Sequence, residues 1–257
     1  MRTLMSNSFR TTNSTGLINK DKKINFTFNG TIYHGYEGDT LASALIANGV
    51  HLVGRSFKYH RPRGFLGVGV EEPNAMVQLH DGNKSEPNII ATEVELVEGL
   101  KAKSQNCWPS VQFDIGEINN VLNRFFPAGF YYKTFMWPKS FWMKIYEPFI
   151  RKAAGMGKAP LLPDPDRYEH NYEHCDVLVV GSGPSGLASA LAAAKNGARV
   201  ILAEDKPNFG GSLLTDEVTI GNMSGKEWAS DTISQLKSMP NVISVSYTHL
   251  RAHETQR

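Results

Sequence analysis

Gly181, Gly183 and Gly186 stand in the spacing G-x-G-x-x-G, and Glu204 follows eighteen residues after the last of them. Glycines so spaced let the chain turn sharply, bring its backbone against a pyrophosphate and pack a helix closely on a strand. A carboxylate at that distance accepts hydrogen bonds from both hydroxyls of a ribose and repels a 2′-phosphate. The chemistry these types can do is nucleotide binding. The residues expected to contact a nucleotide are Gly181, Ser182, Gly183, Pro184, Ser185 and Gly186, then Glu204 and Asp205. Gly210 and Gly211 are added because a second glycine pair there either approaches the same phosphates or makes an ordinary turn.

The flanking sequence supplies the elements such a site requires. Val177 to Val180 is a β-branched apolar run, the pattern of a strand buried on both faces of a parallel sheet. Leu187 to Lys195 is alanine-rich and helical, and its N-terminus faces the glycines, where exposed N–H groups meet phosphate oxygens. Asn196-Gly197 ends the helix, and Arg199 to Ala203 reads as a second strand with Glu204 at its tip. Strand, glycines, helix, strand and acid in this order define a Rossmann-type unit, but the motif does not separate NAD from FAD.

The chain has 257 residues, 41% of them hydrophobic, and a net charge of +2. That content suits one large core or two smaller ones. Basic and acidic residues are nearly balanced and interspersed, which argues against a nucleic-acid footprint. One dense basic run breaks the balance: RSFKYHRPRG, Arg55 to Gly64. It reads either as a solvated or subunit-facing loop or as a contact for an anion such as a phosphate or RNA. Cys107 and Cys175 are far apart and form no C-x-x-C ligand spacing; they fit a reducing compartment, and the protein is expected in the cytoplasm. No apolar stretch approaches a membrane span, so no membrane contact is expected. The N-terminus is Ser/Thr-rich, without an apolar signal core, and residues 1–22 are expected to form a disordered tail.

Residues 23–101 open with a strand to Phe28, a turn at Asn29-Gly30 and a second strand to Tyr36. A helix capped by Asp39 or Thr40 and closed at Asn48-Gly49 comes next, then strands at Ala75 to Leu79 and Ile89 to Val97. Hairpin, helix and later strands make a β-grasp domain of the [2Fe–2S] ferredoxin type. Its cluster cysteines would fall in the loop after the helix, and Gly49 to Gly69 contains none. Residues 102–172 form a connector whose aromatics, densest from Phe125 to Trp142, suit either a core or a subunit interface. Pro160 to Pro165 reads as an extended linker. Residues 173–244 are the start of the Rossmann-type domain, expected to be truncated. The stretch VSYTHLRAHET, Val245 to Thr255, resembles the translation of a sequencing adapter, and residues 245–257 are expected to be a scar rather than native sequence. The fold class is thus α/β and α+β: a cluster-less ferredoxin-like β-grasp domain followed by a truncated Rossmann-type domain.

GDTLASALIANGVHLVGRSFKYHRPRG, EEPNAMVQL, SQNCWPS, PAGFYYKTFMWP and the glycine-rich unit, in this order, resemble the N-terminal part of the alpha subunit of heterotetrameric sarcosine oxidases. The resemblance spans about Ile24 to Leu214. It implies a complex with beta, gamma and delta subunits that demethylates sarcosine to glycine, with peroxide and methylene-tetrahydrofolate formed. It implies that flavins and tetrahydrofolate bind outside this chain, and that the dinucleotide domain holds NAD as a fixed occupant, with FAD the alternative. Gly181, Gly183 and Gly186 would meet the pyrophosphate and Glu204 the adenosine ribose. No residue here matches a catalytic acid, base or nucleophile of the family, so the chain alone is expected to be inactive. Two other readings remain: the alpha subunit of a related FAD-dependent amine, opine or proline dehydrogenase, and a non-enzymatic nucleotide-binding module using RSFKYHRPRG for recognition.

Overall fold

The computed structural model describes residues 9–11, 17–79, 85–125, 135, 137–153, 155, 157, 159–160, 162–163 and 171–246. The chain divides into two compact units, Met1–Thr12 with Ile18–Arg167, and Asn13–Leu17 with Tyr168–Arg257.

In the first unit β1 (Asn19–Phe28) and β2 (Thr31–Glu37) form an antiparallel hairpin that places Phe26 opposite Tyr33. Asn29 and Gly30 both have positive φ, 50° and 78°, as a two-residue hairpin turn following the strand twist requires. Helix α1 (Leu41–Ala47) starts at Thr40, not Asp39. Thr40 Oγ1 accepts from the Ser43 N–H and Ser43 Oγ accepts from the Thr40 N–H, a reciprocal cap. Two short strands, β3 (Gly54–Arg55) and β4 (Pro62–Arg63), pair with each other. With β5 (Met76–Leu79), β6 (Glu86–Ile90) and β7 (Lys101–Ser104), the main sheet runs β2-β1-β7-β5-β6. Strand β7 lies parallel to β1 and all other pairs are antiparallel. Phe26, Phe28, Leu41, Leu45, Val53 and Val77 are fully buried in the core beneath α1. Each contributes about 1.5–3 kcal/mol by leaving water.

Two expectations need correction here. Strand β6 ends at Ile90 rather than reaching Val97: the Glu93 N–H turns back to Ile90 O, and Val94 O and the Leu96 N–H bond Leu41 N and Asp39 O. The apolar alternation of Val94 and Leu96 therefore covers the start of α1 instead of extending the sheet. Part of the expected N-terminal tail is also packed. The Phe9 N–H donates to Ala47 O at 3.1 Å, the Phe9 ring meets His51 edge-on, and β1 itself begins at Asn19. Arg10 donates to both Asp39 oxygens, at 3.0 and 2.6 Å, under a Tyr36 ring 5.0 Å from its guanidinium carbon.

The loop after α1 is not simply solvated. Arg55 is buried and spends its guanidinium on Val111 O, Gln112 O, His60 O and the Glu117 carboxylate. His60 Nδ1 lies 2.6 Å from Asp114 Oδ2, and Asp114 Oδ1 accepts from the Trp108 and Gly116 N–H groups. Helix α2 (Ile118–Val121) comes after this network, and α3 (Glu147–Ala153) lies further along. Of the two readings of the aromatic connector, exposure argues against core: Trp108, Phe113, Phe125, Trp137, Phe141, Trp142 and Phe149 are all exposed. Residues 126–134 and 136 lie outside the described residues.

In the second unit β8 (Val177–Val180), β9 (Val200–Ala203) and β12 (Val242–Val245) form a parallel sheet in the order β12-β9-β8. A small hairpin, β10 (Thr219–Ile220) with β11 (Met223–Ser224), stands apart from that sheet. Helices α4 (Pro184–Lys195) and α5 (Gly225–Ser238) pack with Val179, Val200 and Leu202 through Leu187, Ala190 and Leu236. Strand β8 is expected from sequence to be buried on both faces, yet it is an edge with Leu178 49% and Val180 71% exposed. Ile243 of the other edge strand is likewise exposed, whereas all four residues of the middle strand β9 are buried. Val245, expected from sequence to be the first residue of the adapter-like scar, completes β12: it pairs with Ala203 and its carbonyl accepts from the Glu204 N–H at 2.9 Å. Residues 247–257 lie outside the described residues.

Candidate functional site

The glycine-rich turn joins β8 to α4. Gly181 has φ +90°, a left-handed conformation costly for any side chain, and its N–H donates to Ala203 O at 2.8 Å, tying the turn to β9. Gly183 is the N-cap of α4 and Pro184 its first residue, so the helix starts three residues earlier than sequence pattern suggests. Proline fits there because its fixed φ suits a helix and its missing N–H would have had no helical partner. A Cβ on Gly186 would lie 2.0 Å from Gly181 O, which makes this glycine the point where helix meets strand. A Cβ on Gly183 would meet nothing within 4 Å: the backbone there is open on its outer side. Pro184 and Ser185 are exposed beside it.

The second glycine pair reaches the same place. Gly210 and Gly211 have φ +134° and +54°, and a Cβ on Gly211 would fall 2.9 Å from Gly183 Cα. Gly211 thus packs against the first glycine loop, within a turn that leads into a short 3-10 helix.

Ser182 links all three segments, a task for its side chain that sequence reasoning does not supply. It is fully buried. Its N–H donates to Glu204 Oε2 at 2.8 Å, its hydroxyl donates to the same oxygen, and its Oγ accepts from the Gly210 N–H at 3.0 Å. Glu204 is itself buried at the tip of β9, and its Oε1 accepts from the Lys206 N–H at 3.2 Å. Burial pushes the Glu204 carboxyl upward, but hydrogen bonds from Asp205, Ser182 and Lys206 outweigh it and hold the group below the ordinary glutamate value. The charge is therefore fixed where the glycine turn begins. Asp205, beside it, is exposed. The one sequence signal for the linkage is a small hydroxyl between two glycines.

The ten residues named from sequence thus converge on one locus, and the locus suits the ADP half of a dinucleotide. An open backbone at a helix start, a second glycine loop against it and a fixed carboxylate are the parts such a ligand needs. The Ser182 hydroxyl is spent on Glu204 and Gly210.

Fold and site define a dinucleotide-binding module preceded by a ferredoxin-like domain. Residues 176–253 match the family described as FAD dependent oxidoreductase, and residues 21–107 match the 2Fe-2S iron-sulfur cluster binding domain. Over most of its length the chain is a homologue of sarcosine oxidase alpha subunits. It is 57% identical over 227 residues to sarcosine oxidase subunit alpha of Rhizobium meliloti (strain 1021), a match covering 88% of this chain and 23% of that protein. To the subunit alpha of Corynebacterium sp. (strain U-96) it is 33% identical over 199 residues, covering 76% of this chain and 16% of that one. The chain spans less than a quarter of the length of these relatives. Among the described residues no helix is long and apolar enough to cross a membrane.

Proposed function

We propose that this chain forms the amino-terminal region of the alpha subunit of a cytoplasmic heterotetrameric sarcosine oxidase and contributes a dinucleotide site to that complex. The observation that carries the proposal is the 57% identity over 227 residues, which runs through both the ferredoxin-like domain and the glycine-rich unit. In this reading residues 23–101, 102–172 and 173–244 are the ferredoxin-like domain, the connector and the Rossmann-type region. Backbone at Gly181 to Gly186 and Gly211 would hold the pyrophosphate, and Glu204, fixed by Ser182, would accept from the adenosine ribose. Asp205 stands exposed at the rim, and buried Gly210 supports the second loop from beneath by donating to Ser182 Oγ.

NAD is the occupant the family resemblance implies, held as a structural group. The match to FAD dependent oxidoreductases favours the second reading, in which FAD sits there and relays electrons. Oxidation of the amine, capture of the one-carbon unit by tetrahydrofolate and the partner flavins belong to other parts of the complex, with the beta, gamma and delta subunits as partners. No residue of this chain is assigned to catalysis.

Mass analysis of the nucleotide released from the purified protein tests the proposal. One equivalent of NAD supports the first reading and FAD the second. Protein that neither retains nor takes up either nucleotide refutes both. Sarcosine-dependent peroxide should appear only when the partner subunits are added to an alpha subunit that includes this region.

A further inference from the structure

The stretch FLGVGVEEPNA, Phe65 to Ala75, belongs to the first unit and takes no part in the dinucleotide site. It turns its apolar side chains outward. Leu66, Val68 and Val70 are 77%, 92% and 65% exposed, while Phe65 packs against the core at one end and Ala75 is fully buried at the other. We propose that this loop is a preformed prong that docks into an aliphatic groove with a basic rim on another protein chain, a partner subunit in the complex proposed above, on which reading the choice of partner rests.

The alternation of Leu66, Val68 and Val70 is that of a half-buried strand, yet no strand forms there. The backbone N–H groups go to two glutamates instead. Glu72, 2% exposed, accepts from the Leu66 and Gly67 N–H groups with Oε2, both at 2.6 Å, and from those of Asn74 and Ala75 with Oε1, at 2.7 and 3.2 Å. Glu71 Oε1 accepts from the Val68 and Gly69 N–H groups, both at 3.1 Å. Every N–H from Leu66 to Gly69 thus ends on a carboxylate. The Thr92 hydroxyl and the Glu72 N–H both donate to Gly69 O, at 2.8 and 3.1 Å. The glycines face inward: a Cβ on Gly67 would lie 3.2 Å from Glu72 N and Cα, and one on Gly69 2.9 Å from Glu71 Oε2. Burial pushes the Glu72 carboxyl upward, but the N–H groups of Gly67, Leu66, Asn74 and Ala75 outweigh it and hold it below the ordinary glutamate value.

A loop already in place loses little entropy on docking, which suits two bodies that fold apart. Charge selects among the occupants. Glu71 is exposed beside Val70 and held low, first by its own N–H and then by that of Val68. A fixed carboxylate among aliphatic side chains is costly in hydrocarbon and is repelled by anionic headgroups. Two copies meeting loop to loop would set Glu71 against Glu71. A groove on a different protein, aliphatic within and carrying Lys or Arg at its edge, meets both the side chains and the charge.

The test uses an alpha subunit that includes this region, assembled with the other subunits of its complex. With Val68 replaced by the photo-crosslinker benzoylphenylalanine, irradiation should join position 68 to an aliphatic stretch of another subunit flanked by Lys or Arg, located by mass mapping. Leu66→Ser with Val68→Ser should weaken assembly by about tenfold in sedimentation titrations, with nucleotide content unchanged. Val68→Ser alone, at the most exposed of the three positions, should shift affinity in the same direction and keeps the test decisive if the double variant folds poorly. Unchanged affinity in both variants, a crosslink confined to alpha or joining two alpha chains, or flotation with phosphatidylcholine–phosphatidylserine vesicles that Val68→Ser abolishes would overturn the proposal. An unaltered alpha subunit that joins no other chain would instead refute the complex itself, and the docking with it.

Discussion

Replacing Arg10 by methionine should destabilise the first unit far more than a surface ion pair could explain. The Arg10 side chain is 13% exposed and Asp39 0%, so the substitution leaves a carboxylate in the interior without its countercharge. Breaking a buried pair in this way costs about 3–5 kcal/mol. Asp39 keeps two donors, the Ser43 hydroxyl at 2.6 Å and the Tyr36 N–H at 2.9 Å, which places the expected loss at the lower end, about 3 kcal/mol. With a urea slope of about 1.5 kcal/mol per molar, the unfolding midpoint should fall by about 2 M. Far-UV circular dichroism gives the midpoint. Hydrogen exchange of the Leu41–Ala47 amides shows whether the weakened unit is the one expected. Adding Asp39→Asn should recover part of the loss, because the uncompensated charge is gone. A midpoint shift under about 0.3 M, or strictly additive losses in the double variant, would refute the assignment of Arg10 and Asp39 as a buried clamp.

Gly186→Ala should overpack the helix–strand contact with Gly181 O, cost about 1–3 kcal/mol in the second unit and weaken nucleotide binding at least tenfold; unchanged affinity would show that the contact tolerates a methyl group. Arg55→Lys keeps the charge but cannot reach four acceptors, so the first unit should lose about 2–4 kcal/mol in denaturant titration. Asp176 is held at about 2, first by the hydrogen bonds of the Arg199 side chain, then by the Arg199 N–H. A carboxyl lowered on folding stabilises above its unfolded value of 3.8 and loses that contribution as pH falls through about 2. Asp176→Asn should therefore flatten the acid limb of the stability profile between those values, and an unaltered limb would remove the pair from consideration. Protein purified without oxygen should carry no stoichiometric iron or acid-labile sulfide, since a cluster takes four thiolates or close substitutes and the chain has two cysteines.

What is legible in the sequence is local. The turn at Asn29-Gly30, helix α1 and the order of glycines, helix and acid around Gly181 are each encoded within a few residues of where they act. The linking role of Ser182 is hidden because its partners are Glu204 and Gly210, 22 and 28 residues away, and a serine carries no pattern that predicts them. Arg55 reads as part of a solvated or anion-facing run because three of its four acceptors are backbone carbonyls, which every residue has. The placement of β7 between β1 and β5 likewise depends on pairing across the whole domain, so the end of β6 could not be set from alternation alone.

The loop after α1 also fixes what this domain can respond to. In a ferredoxin the corresponding loop is shaped by thiolate bonds to iron, so its form depends on iron supply, on sulfide and on exposure to oxidants. Here a guanidinium bound to backbone carbonyls does that shaping. Arginine neither changes oxidation state nor gives up its proton in any physiological range. The part of the loop's shape that Arg55 supplies is therefore independent of redox potential and of chelators.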